Sequence, residues 1–385
     1  MENCGQIHVV GGLYREICLH PAWNALLGSG GRAAQALAAL GGTTTLHSYF
    51  EDDQSIALEF FRDRGIALDL HSRQTPIAFA YFHPLSIPHL EPRDIAQEAA
   101  LFVNAETVLR FGLVEGDAVV KAQRAIFDPQ GWHTPLHFGE NGSHADEVAL
   151  VLNAQELISR TGVTNIDDAA TSLVNTGIAS VVVVKQGVSG AIVVEGGKPT
   201  LFVPAFRSSS VFKIGTGDVF SATFAHYWGR AGDDAATAAQ QASLAVAYYV
   251  QHRECPTERL GPMTELVGGT PQGPVAVLAV TDTLGRHYVL EEALHRLTEL
   301  GIDAVHVRDA PFSQPYSALL LLADGLSSDI IRMLGGPTLG TMPVVILDEA
   351  GRWEREDLPP IAAVSNDFTT ALYQVAWAAS SPSAI

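Results

Sequence analysis

A short glycine loop, Gly215-Thr216-Gly217-Asp218, constrains the fold more than any other stretch, because a helical pattern begins directly behind it. After Asp218 the sequence is alanine-rich, with large apolar residues at Phe220, Phe224 and Tyr227, which is helix spacing. Backbone N–H groups at a helix N-terminus bind anions, and a carboxylate in the first turn can accept a proton. The stretch therefore predicts a phosphoryl-transfer site with Asp218 as the base; the alternative is an ordinary loop with an acidic helix cap.

Composition narrows the class of protein. The chain has 385 residues, 47% of them hydrophobic, which predicts two globular domains, or one large domain with an appendage. The net charge of −19 argues against nucleic acid and anionic membranes as partners, but not against a small phosphorylated ligand. Three scattered cysteines predict a reducing cytoplasm, and no stretch reads as a signal peptide or a membrane span. A homodimer is one candidate for the assembly.

Strands and helices alternate along most of the chain, which indicates an α/β sandwich. The predicted strands are Ile7–Val10, Thr43–Tyr49, Ala125–Asp128, Val148–Leu152, Ser180–Lys185 and Ala191–Glu195, with Ile77–Phe82 as part of a hairpin or lid. The predicted helices are Arg32–Leu40, Ser55–Arg64, Arg93–Leu101, Ala118–Gln123, Ile166–Asn175 and Asp234–Tyr249. The residues HPAWNALL before Gly28 are a poor strand.

A glycine- and proline-rich stretch, Cys255–Pro274, reads as a linker between two domains. We predict one domain over residues 1–268 and a small α/β domain of flavodoxin-like type over residues 269–385. The strands predicted for the second domain are Val275–Val280, Ala304–Val307, Ala318–Ala323 and Pro343–Leu347, and its helices are Tyr288–Leu300, Asp329–Leu334 and Thr369–Ala378.

Four motifs in order resemble the ribokinase-like sugar kinases, also called the phosphofructokinase-B family, from about Ile7 to about Leu266. They are the glycine–alanine segment Gly28–Gly41, the pair Asn153 and Glu156, the segment Lys185–Gly190, and the loop Gly215–Asp218. The resemblance implies a three-layer sandwich with a small lid. It also implies ATP-dependent phosphorylation, with Mg²⁺, of a hydroxyl on a sugar, nucleoside or related alcohol.

The resemblance assigns roles to residues of this chain. Asp218 is the expected base, and Gly215, Thr216 and Gly217 form the expected anion hole. Asn153 and Glu156 are expected to organise Mg²⁺, although a helix N-cap with an acid at its third position explains them as well. The residues expected at the ATP are Lys185, Gly187, Gly190 and Lys213, and those expected at the acceptor are Glu16, Arg32, Gly30 and Gly31. A strand end for Lys185 and a β-turn for Gly187 and Gly190 are the plainer readings.

Three departures from the family pattern concern the acceptor and a monovalent cation site. Glu16 stands where the family has a sugar-binding Asp, and Arg32 where it has an Asn. The two are expected to define a pocket for an anionic or strongly polar acceptor; the alternative is that Arg32 simply pairs with Glu16 or another acid. Phe212-Lys213 replaces an Asp-Thr pair at the cation site, so Lys213 is expected to stand in for K⁺ or to point to solvent. These changes keep open a catalytically degenerate protein that binds a nucleotide or sugar as a regulator.

The second domain weakly resembles nucleoside 2-deoxyribosyltransferases. The likeness depends on Ala323-Asp324-Gly325 after an apolar strand and on the stretch Met342–Val345. The catalytic Glu of that family would fall near Met333, which cannot act as a nucleophile. The activity is therefore not carried over, and a carboxylate such as Asp324 or Asp329 would be needed for any chemistry in this domain.

Overall fold

The structure, a computed structural model, describes residues 5–52, 55–131, 137–266, 271, 273–308, 315–327, 342–353 and 362–380. The chain divides into two compact units. The first comprises Met1–Phe82, Ser86–Ser208 and Lys213–Met263, and the second comprises His83–Leu85, Ser209–Phe212 and Thr264–Ile385. A domain boundary at 268/269 remains our proposal.

The first unit alternates strands and helices. Its strands are β1 (Ile7–Val10), β2 (Arg15–Cys18), β3 (Trp23–Leu26), β4 (Thr44–Phe50), β5 (Ala67–Ser72), β6 (Ala78–Tyr81), β7 (His89–Glu91), β8 (Leu101–Phe111), β9 (Ala118–Asp128), β10 (His144–Asn153), β11 (Val181–Lys185), β12 (Ala191–Glu195), β13 (Leu201–Val203) and β14 (Ala205–Phe206). Its helices are α1 (Gly28–Ala39), α2 (Glu59–Arg62), α3 (Ala154–Thr161), α4 (Ile166–Asn175), α5 (Thr216–Phe224) and α6 (Ala235–His252), with a π-helical turn over Ala225–Ala231 and 3₁₀ turns over Ile56–Leu58, Phe138–Asn141 and Gly187–Ser189.

A nine-stranded sheet in the order β13-β12-β11-β10-β9-β8-β1-β4-β5 organises this unit. The pairs from β5 to β11 are parallel, and only β12 and β13 run against their neighbours. Strand β11 is a run of four buried valines, as expected for a parallel strand covered on both faces. The adjacent strands β9, β10 and β11 end at Asp128, Asn153 and Lys185, so their carboxyl ends bring three polar side chains to one edge of the sheet.

The predicted lid strand is part of a separate four-stranded sheet in the order β3-β2-β6-β7. The reading of HPAWNALL as a poor strand is wrong for its second half. Strand β3 pairs antiparallel with β2, with Trp23 opposite Cys18 and Leu26 opposite Arg15. Cross-strand pairing therefore overrides the weak local pattern.

The helices predicted at Arg93–Leu101 and Ala118–Gln123 are wrong. Residues 93–100 form neither a helix nor a strand, and the 11-residue strand β8 begins at Leu101. The second predicted helix lies within β9, which also has 11 residues. Burial alternates at the start of β8, where Leu101 and Val103 are buried and Phe102 is 78% exposed. That two-residue period is the strand signal, and the alanine content of the region obscured it.

Strands β8 and β9 are parallel although only residues 112–117 connect them. Residue 101 pairs with residue 118 and residue 111 with residue 128, so each residue of β8 pairs with the residue 17 positions later in the chain. A straight 11-residue strand spans ~36 Å, whereas six linking residues reach at most ~25 Å. Both strands must therefore bend, and their pairing is interrupted at Glu106 and Gln123. This bend replaces the helical crossover that parallel strands normally need.

The second unit contains a five-stranded parallel sheet. The five strands of this sheet are β16 (Val275–Leu278), β17 (Ala304–Val307), β18 (Ala318–Leu322), β19 (Val344–Leu347) and β20 (Ala362–Ser365). The unit also contains the short strand β15 (Glu265–Leu266), which lies outside this sheet, and the helices α7 (Leu284–Glu299) and α8 (Phe368–Ser380). The sheet order is β17-β16-β18-β19-β20, an order that flavodoxin-like sheets have, and β20 was not predicted. The flavodoxin-like class remains a prediction, and Asp329, Met333 and the predicted helix 329–334 lie outside the described residues.

Gly30, in the first turn of α1, should be required for packing. A Cβ at Gly30 would lie 2.5 Å from the backbone oxygen of Gly11, whereas a Cβ at Gly31 would mainly meet the movable side chains of Leu13 and Phe61. We expect Gly30→Ala to lower the free energy of unfolding by about 1–3 kcal/mol and Gly31→Ala to lower it less. Urea denaturation of both variants measures the difference, and equal losses would contradict this account of Gly30.

Candidate active site

The glycine loop has the geometry of an uncapped helix start. Gly215 adopts a left-handed conformation with φ 78°, and α5 begins at the next residue without a side-chain cap. A Cβ at Gly215 would lie 2.1 Å from Nε of Arg32, so only glycine fits. The N–H of Thr216 donates to the backbone oxygen of Lys213 at 3.3 Å, whereas the N–H groups of Gly217 and Asp218 have no helical partner, which leaves these two available to an anion.

Asp218 lies in the first turn of α5 and is only 7% exposed. Its Oδ2 accepts a hydrogen bond from Nη1 of Arg32 at 2.9 Å, and its Oδ1 accepts one from Nε2 of Gln130 at 2.7 Å. Burial raises the pKa of Asp218 although the nearby guanidinium of Arg32 opposes the rise. A buried carboxylate with a raised pKa is a stronger base than an exposed one, as proton abstraction requires.

Arg32 connects the predicted acceptor residues to the predicted base. Its guanidinium is buried and forms a two-pronged pair with Glu16, in which Nη1 lies 2.9 Å from Oε1 and Nη2 donates to Oε2. Its Nε donates to the hydroxyl of Tyr249 at 3.0 Å, and that hydroxyl donates to the backbone oxygen of Ile214 at 3.0 Å. Burial alone would lower the pKa of Arg32, but Glu16, Tyr249 and Asp218 together outweigh it and the pKa is raised. Glu16, Arg32 and Asp218 thus form one buried charge network.

Lys185 and Asp128 form a second buried network at the ends of β11 and β9. Nζ of Lys185 donates to Oδ2 of Asp128 at 2.8 Å, and Oγ of Ser221, from α5, donates to the same oxygen at 2.7 Å. The other oxygen of Asp128, Oδ1, is buried without a hydrogen-bond partner among the described residues. An unpaired buried carboxylate oxygen is costly unless a ligand or ion uses it.

Asn153 and Glu156 form a capping box at the start of α3. Oδ1 of Asn153 accepts from the Glu156 backbone N–H at 2.8 Å, and Oε2 of Glu156 accepts from the Asn153 N–H at 2.9 Å. Burial, and then the charge of Asp128, raise the pKa of Glu156, so the two carboxylates are electrostatically coupled. No group of three or more metal-ligating side chains occurs in the described part of the chain. Mg²⁺ commonly takes one or two carboxylates and completes its shell with water and phosphate oxygens, so Asp128 and Glu156 fit it.

Lys213 lies beside the loop. Its Nζ donates to Oγ1 of Thr216 at 2.7 Å, and that hydroxyl donates to the backbone oxygen of Lys213 at 3.1 Å. Burial, and then the positive charge of Lys185, lower the pKa of Lys213 to about 8. The ammonium is therefore directed toward the start of α5.

Gly187 and Gly190 have structural explanations: the first has a left-handed φ of 59° and the second is closely packed. Gly187 begins a 3₁₀ turn that ends at Gly190. A Cβ at Gly190 would lie 2.2 Å from the backbone oxygen of Val203, so its position is fixed by the close approach of β12 and β13. A role for either glycine in binding a nucleotide remains a proposal.

Sequence reasoning did not assign three residues that the structure connects to the site. The sequence indicated Asp128 only as the last residue of a strand. An acid that is followed by Pro129 at the end of a buried strand is a signal that its side chain lies at the carboxyl edge of the sheet. Gln130 follows at once, with a left-handed φ of 36° that is unusual outside glycine. Tyr249 had no sequence signal, because a tyrosine at helical spacing reads as core.

Similarity to a solved structure shows the class of fold. The first unit has the ribokinase fold: ribokinase from Cryptococcus neoformans var. grubii, in complex with ADP, matches with a TM-score of 0.50 at 16% identity, over 65% of this chain and 95% of that one. Ribokinase from Arabidopsis thaliana, complexed with ribose and ATP, matches with a TM-score of 0.49 at 18% identity, over 66% and 96% of the two chains. A pyrophosphate-dependent kinase in the ribokinase family, complexed with a pyrophosphate analog and myo-inositol, matches with a TM-score of 0.47 at 14% identity, over 66% and 98%.

A family model matches the part of the sequence that contains most of the site. Residues 144–259 match the model described as "pfkB family carbohydrate kinase", and this stretch includes Asn153, Glu156, Lys185 and the loop Gly215–Asp218. The chain thus contains a pfkB family carbohydrate kinase domain over these residues, which supports a kinase. No curated protein matches the sequence. In the part of the chain that the structure describes, no helix is long and apolar enough to cross a bilayer.

The Arg32 network makes a stability prediction. Arg32→Met would leave Glu16 and Asp218 buried without their countercharge, which should cost about 3–5 kcal/mol of unfolding free energy. The matched control is Arg62→Met, which breaks an exposed pair with Glu59 and should change little. Chemical denaturation measures both variants. Adding Glu16→Gln to Arg32→Met should recover part of the loss, and a harmless Arg32→Met would disprove the network's importance.

Proposed function

We propose that the chain transfers a phosphoryl group from ATP to a hydroxyl of a sugar, nucleoside or related small alcohol, with Asp218 as the base. The observation that carries the proposal is the placement of a buried carboxylate in the first turn of α5, behind an uncapped glycine loop. The acceptor hydroxyl loses its proton to Asp218 as its oxygen bonds to the γ-phosphorus. The bond from that phosphorus to the leaving diphosphate breaks, and ADP departs with the electron pair.

Asp218 can accept a hydroxyl in addition to its present partners. Each carboxylate oxygen accepts about two hydrogen bonds, and each oxygen of Asp218 has one, from Arg32 or from Gln130. The N–H groups at the start of α5 would stabilise the charge on the transferring group, as the family motif implies for Gly215, Thr216 and Gly217. The groups that remove the proton and the groups that stabilise the transferring phosphoryl group therefore lie next to each other at the start of α5.

Asp128 and Glu156 would hold Mg²⁺ on the donor side. When bound, the ion neutralises phosphate charge. Asp128 contributes its unpaired Oδ1, and Lys185 holds the other oxygen in place. Asn153 acts by fixing the carboxylate of Glu156 through the capping box.

Arg32 and Glu16 would select the acceptor. One hydrogen on Nη2 of Arg32 has no acceptor among the described residues, because that nitrogen donates only to Glu16. A planar guanidinium suits a carboxylate or phosphate group. We therefore propose that an anionic or strongly polar acceptor is preferred over plain ribose.

The second candidate function is a catalytically degenerate protein that binds a nucleotide or sugar as a regulator. The direct ion pair between Arg32 and Asp218 favours it, because a permanent countercharge weakens a base. A thermal-shift screen of sugars and nucleosides with Mg-ATP, paired with a phosphotransfer assay, separates the two candidates. Ligand binding without product formation on any acceptor would favour the regulator.

Asp218→Asn should leave ATP affinity nearly unchanged and reduce kcat by roughly 10²-fold or more, because the amide cannot take a proton. The control is Asp234→Asn, which replaces the N-cap of α6 by an equally good cap. Steady-state kinetics and ATP titration measure both variants. An Asp218→Asn enzyme within threefold of the wild type would exclude Asp218 as the base.

The acceptor prediction is tested with a panel of neutral sugars, sugar acids and sugar phosphates. We expect kcat/KM to be higher for the anionic members, and Arg32→Asn to reduce this preference, because the asparagine amide has no charge to offer them. Strong activity on unmodified ribose that is unchanged in Arg32→Asn would contradict the role of Arg32.

A further inference from the structure

Lys213 has a charge that the described residues do not balance. Its ammonium has the hydroxyl of Thr216 as a partner, and no carboxylate of the described part of the chain forms an ion pair with it. The other two cations of the site differ in this respect, because Lys185 pairs with Asp128 and Arg32 pairs with Glu16 and Asp218.

A second ammonium faces the same turn of α5. A Cβ added at Gly217 would lie 3.4 Å from Nζ of Lys185, while Lys213 holds the hydroxyl of Thr216, the neighbouring residue. Burial and the positive charge of Lys185 both oppose protonation of Lys213. The carboxylates of Asp218 and Glu156 offset these two effects only in part. An anion bound between the two ammonium groups would relieve this repulsion.

We propose that Lys213, together with Lys185 and the uncapped N–H groups at the start of α5, binds the diphosphate group of the phosphoryl donor. The inference rests on the proposed function and extends it to a residue at which the family pattern has no lysine. The diphosphate can belong to a nucleotide or to inorganic pyrophosphate, since the two share the group that these residues contact.

This role differs from the replacement of K⁺ that the sequence suggested. A cation bound beneath the loop would be held by carbonyl oxygens. The recorded partner of the Lys213 ammonium is instead a side-chain hydroxyl in the first turn of α5. The ammonium therefore lies on the face of the loop where the helix N–H groups begin.

The test is direct binding of ADP and of pyrophosphate, measured by calorimetry without an acceptor, so that turnover is not needed. We expect Lys213→Met to weaken both ligands by about 10- to 100-fold, as for the loss of a charge-assisted hydrogen bond. Lys213→Arg should keep most of the affinity. The control, Lys198→Met, removes an exposed lysine paired with Glu195 and should bind as the wild type does.

Raising the pH supplies an independent readout. Because the pKa of Lys213 is about 8 in the free protein, affinity should fall more between pH 7 and pH 9.5 in the wild type than in Lys213→Arg. Lys213→Met should also have a higher Tm than the wild type at pH 7 without ligand, since the folded protein bears the cost of a buried charge there. That gain should shrink above pH 8, where the wild-type lysine is neutral in the folded state.

Three outcomes would overturn the inference: unchanged affinity in Lys213→Met, restoration of that variant by K⁺, or no binding of either ligand to the wild type. If only ADP or only pyrophosphate depends on Lys213, the inference holds and the result identifies the donor. Lys213-dependent binding without phosphotransfer would uphold it and reject the proposed function. If Lys213→Met leaves the rate of phosphotransfer unchanged, the inference is rejected and the proposed function is upheld.

Discussion

The buried guanidinium of Arg32 is the interaction on which the candidate site depends. It lies directly against Gly215, pairs with Glu16 from β2 and with Asp218 from α5, and holds the hydroxyl of Tyr249 in α6. Two carboxylates in a dry environment require such a countercharge, since an unpaired buried charge is far more costly than a paired one. Arg32 therefore fixes the backbone of the loop, the orientation of Asp218 and the chemistry of the acceptor side together.

The donor side depends on the sheet. Parallel strands deliver Asp128, Asn153 and Lys185 to one edge, and the bend in β8 and β9 achieves this without a helical crossover between them. The apolar faces of β9, β10 and β11 pack into one core with α3 and α4, which makes that edge rigid. Rigid elements preserve the distances that a catalytic arrangement needs better than mobile loops do.

The sequence predicted most elements whose pattern is local. The valine run at β11, the helix over Ile166–Asn175 and the glycine loop before α5 were all identified, because each has a strong periodicity or a glycine that no other residue can replace. The sequence did not predict strands over the full length of β8 and β9. Because of the bend, the two strands pair in parallel at an offset of 17 residues, without the helical pattern that usually signals a crossover. Long-range pairing is not recorded in local propensity.

The site also has parts that local sequence patterns predict and parts that they do not. The loop Gly215–Asp218 could be found from spacing, but the partners of Asp218 could not. Arg32 lies 186 positions away and Gln130 lies 88 positions away, and neither has a sequence neighbour that indicates the contact. The Asn153–Glu156 pair allows two interpretations from sequence, a capping box and a Mg²⁺ site. Its capping box exists, and the same carboxylate is still close enough to Asp128 for their charges to interact.

The acceptor side and the donor side of the site carry different charges, so a bound phosphoryl donor affects their titratable groups differently. The acceptor side contains Glu16, Arg32 and Asp218, whose charges sum to one negative charge when all are ionised. On the donor side, Lys185 pairs with Asp128, while Lys213 has no ion pair among the described residues and only a charge interaction with Glu156 and Asp218. On the proposed function, a polyphosphate brings further negative charge to the start of α5. That charge raises the pKa of Lys213, which keeps the ammonium protonated, and raises the pKa of Asp218 further. The carboxylate then becomes a stronger base when the donor is in place, so donor binding itself prepares Asp218 to accept the proton of the attacking hydroxyl.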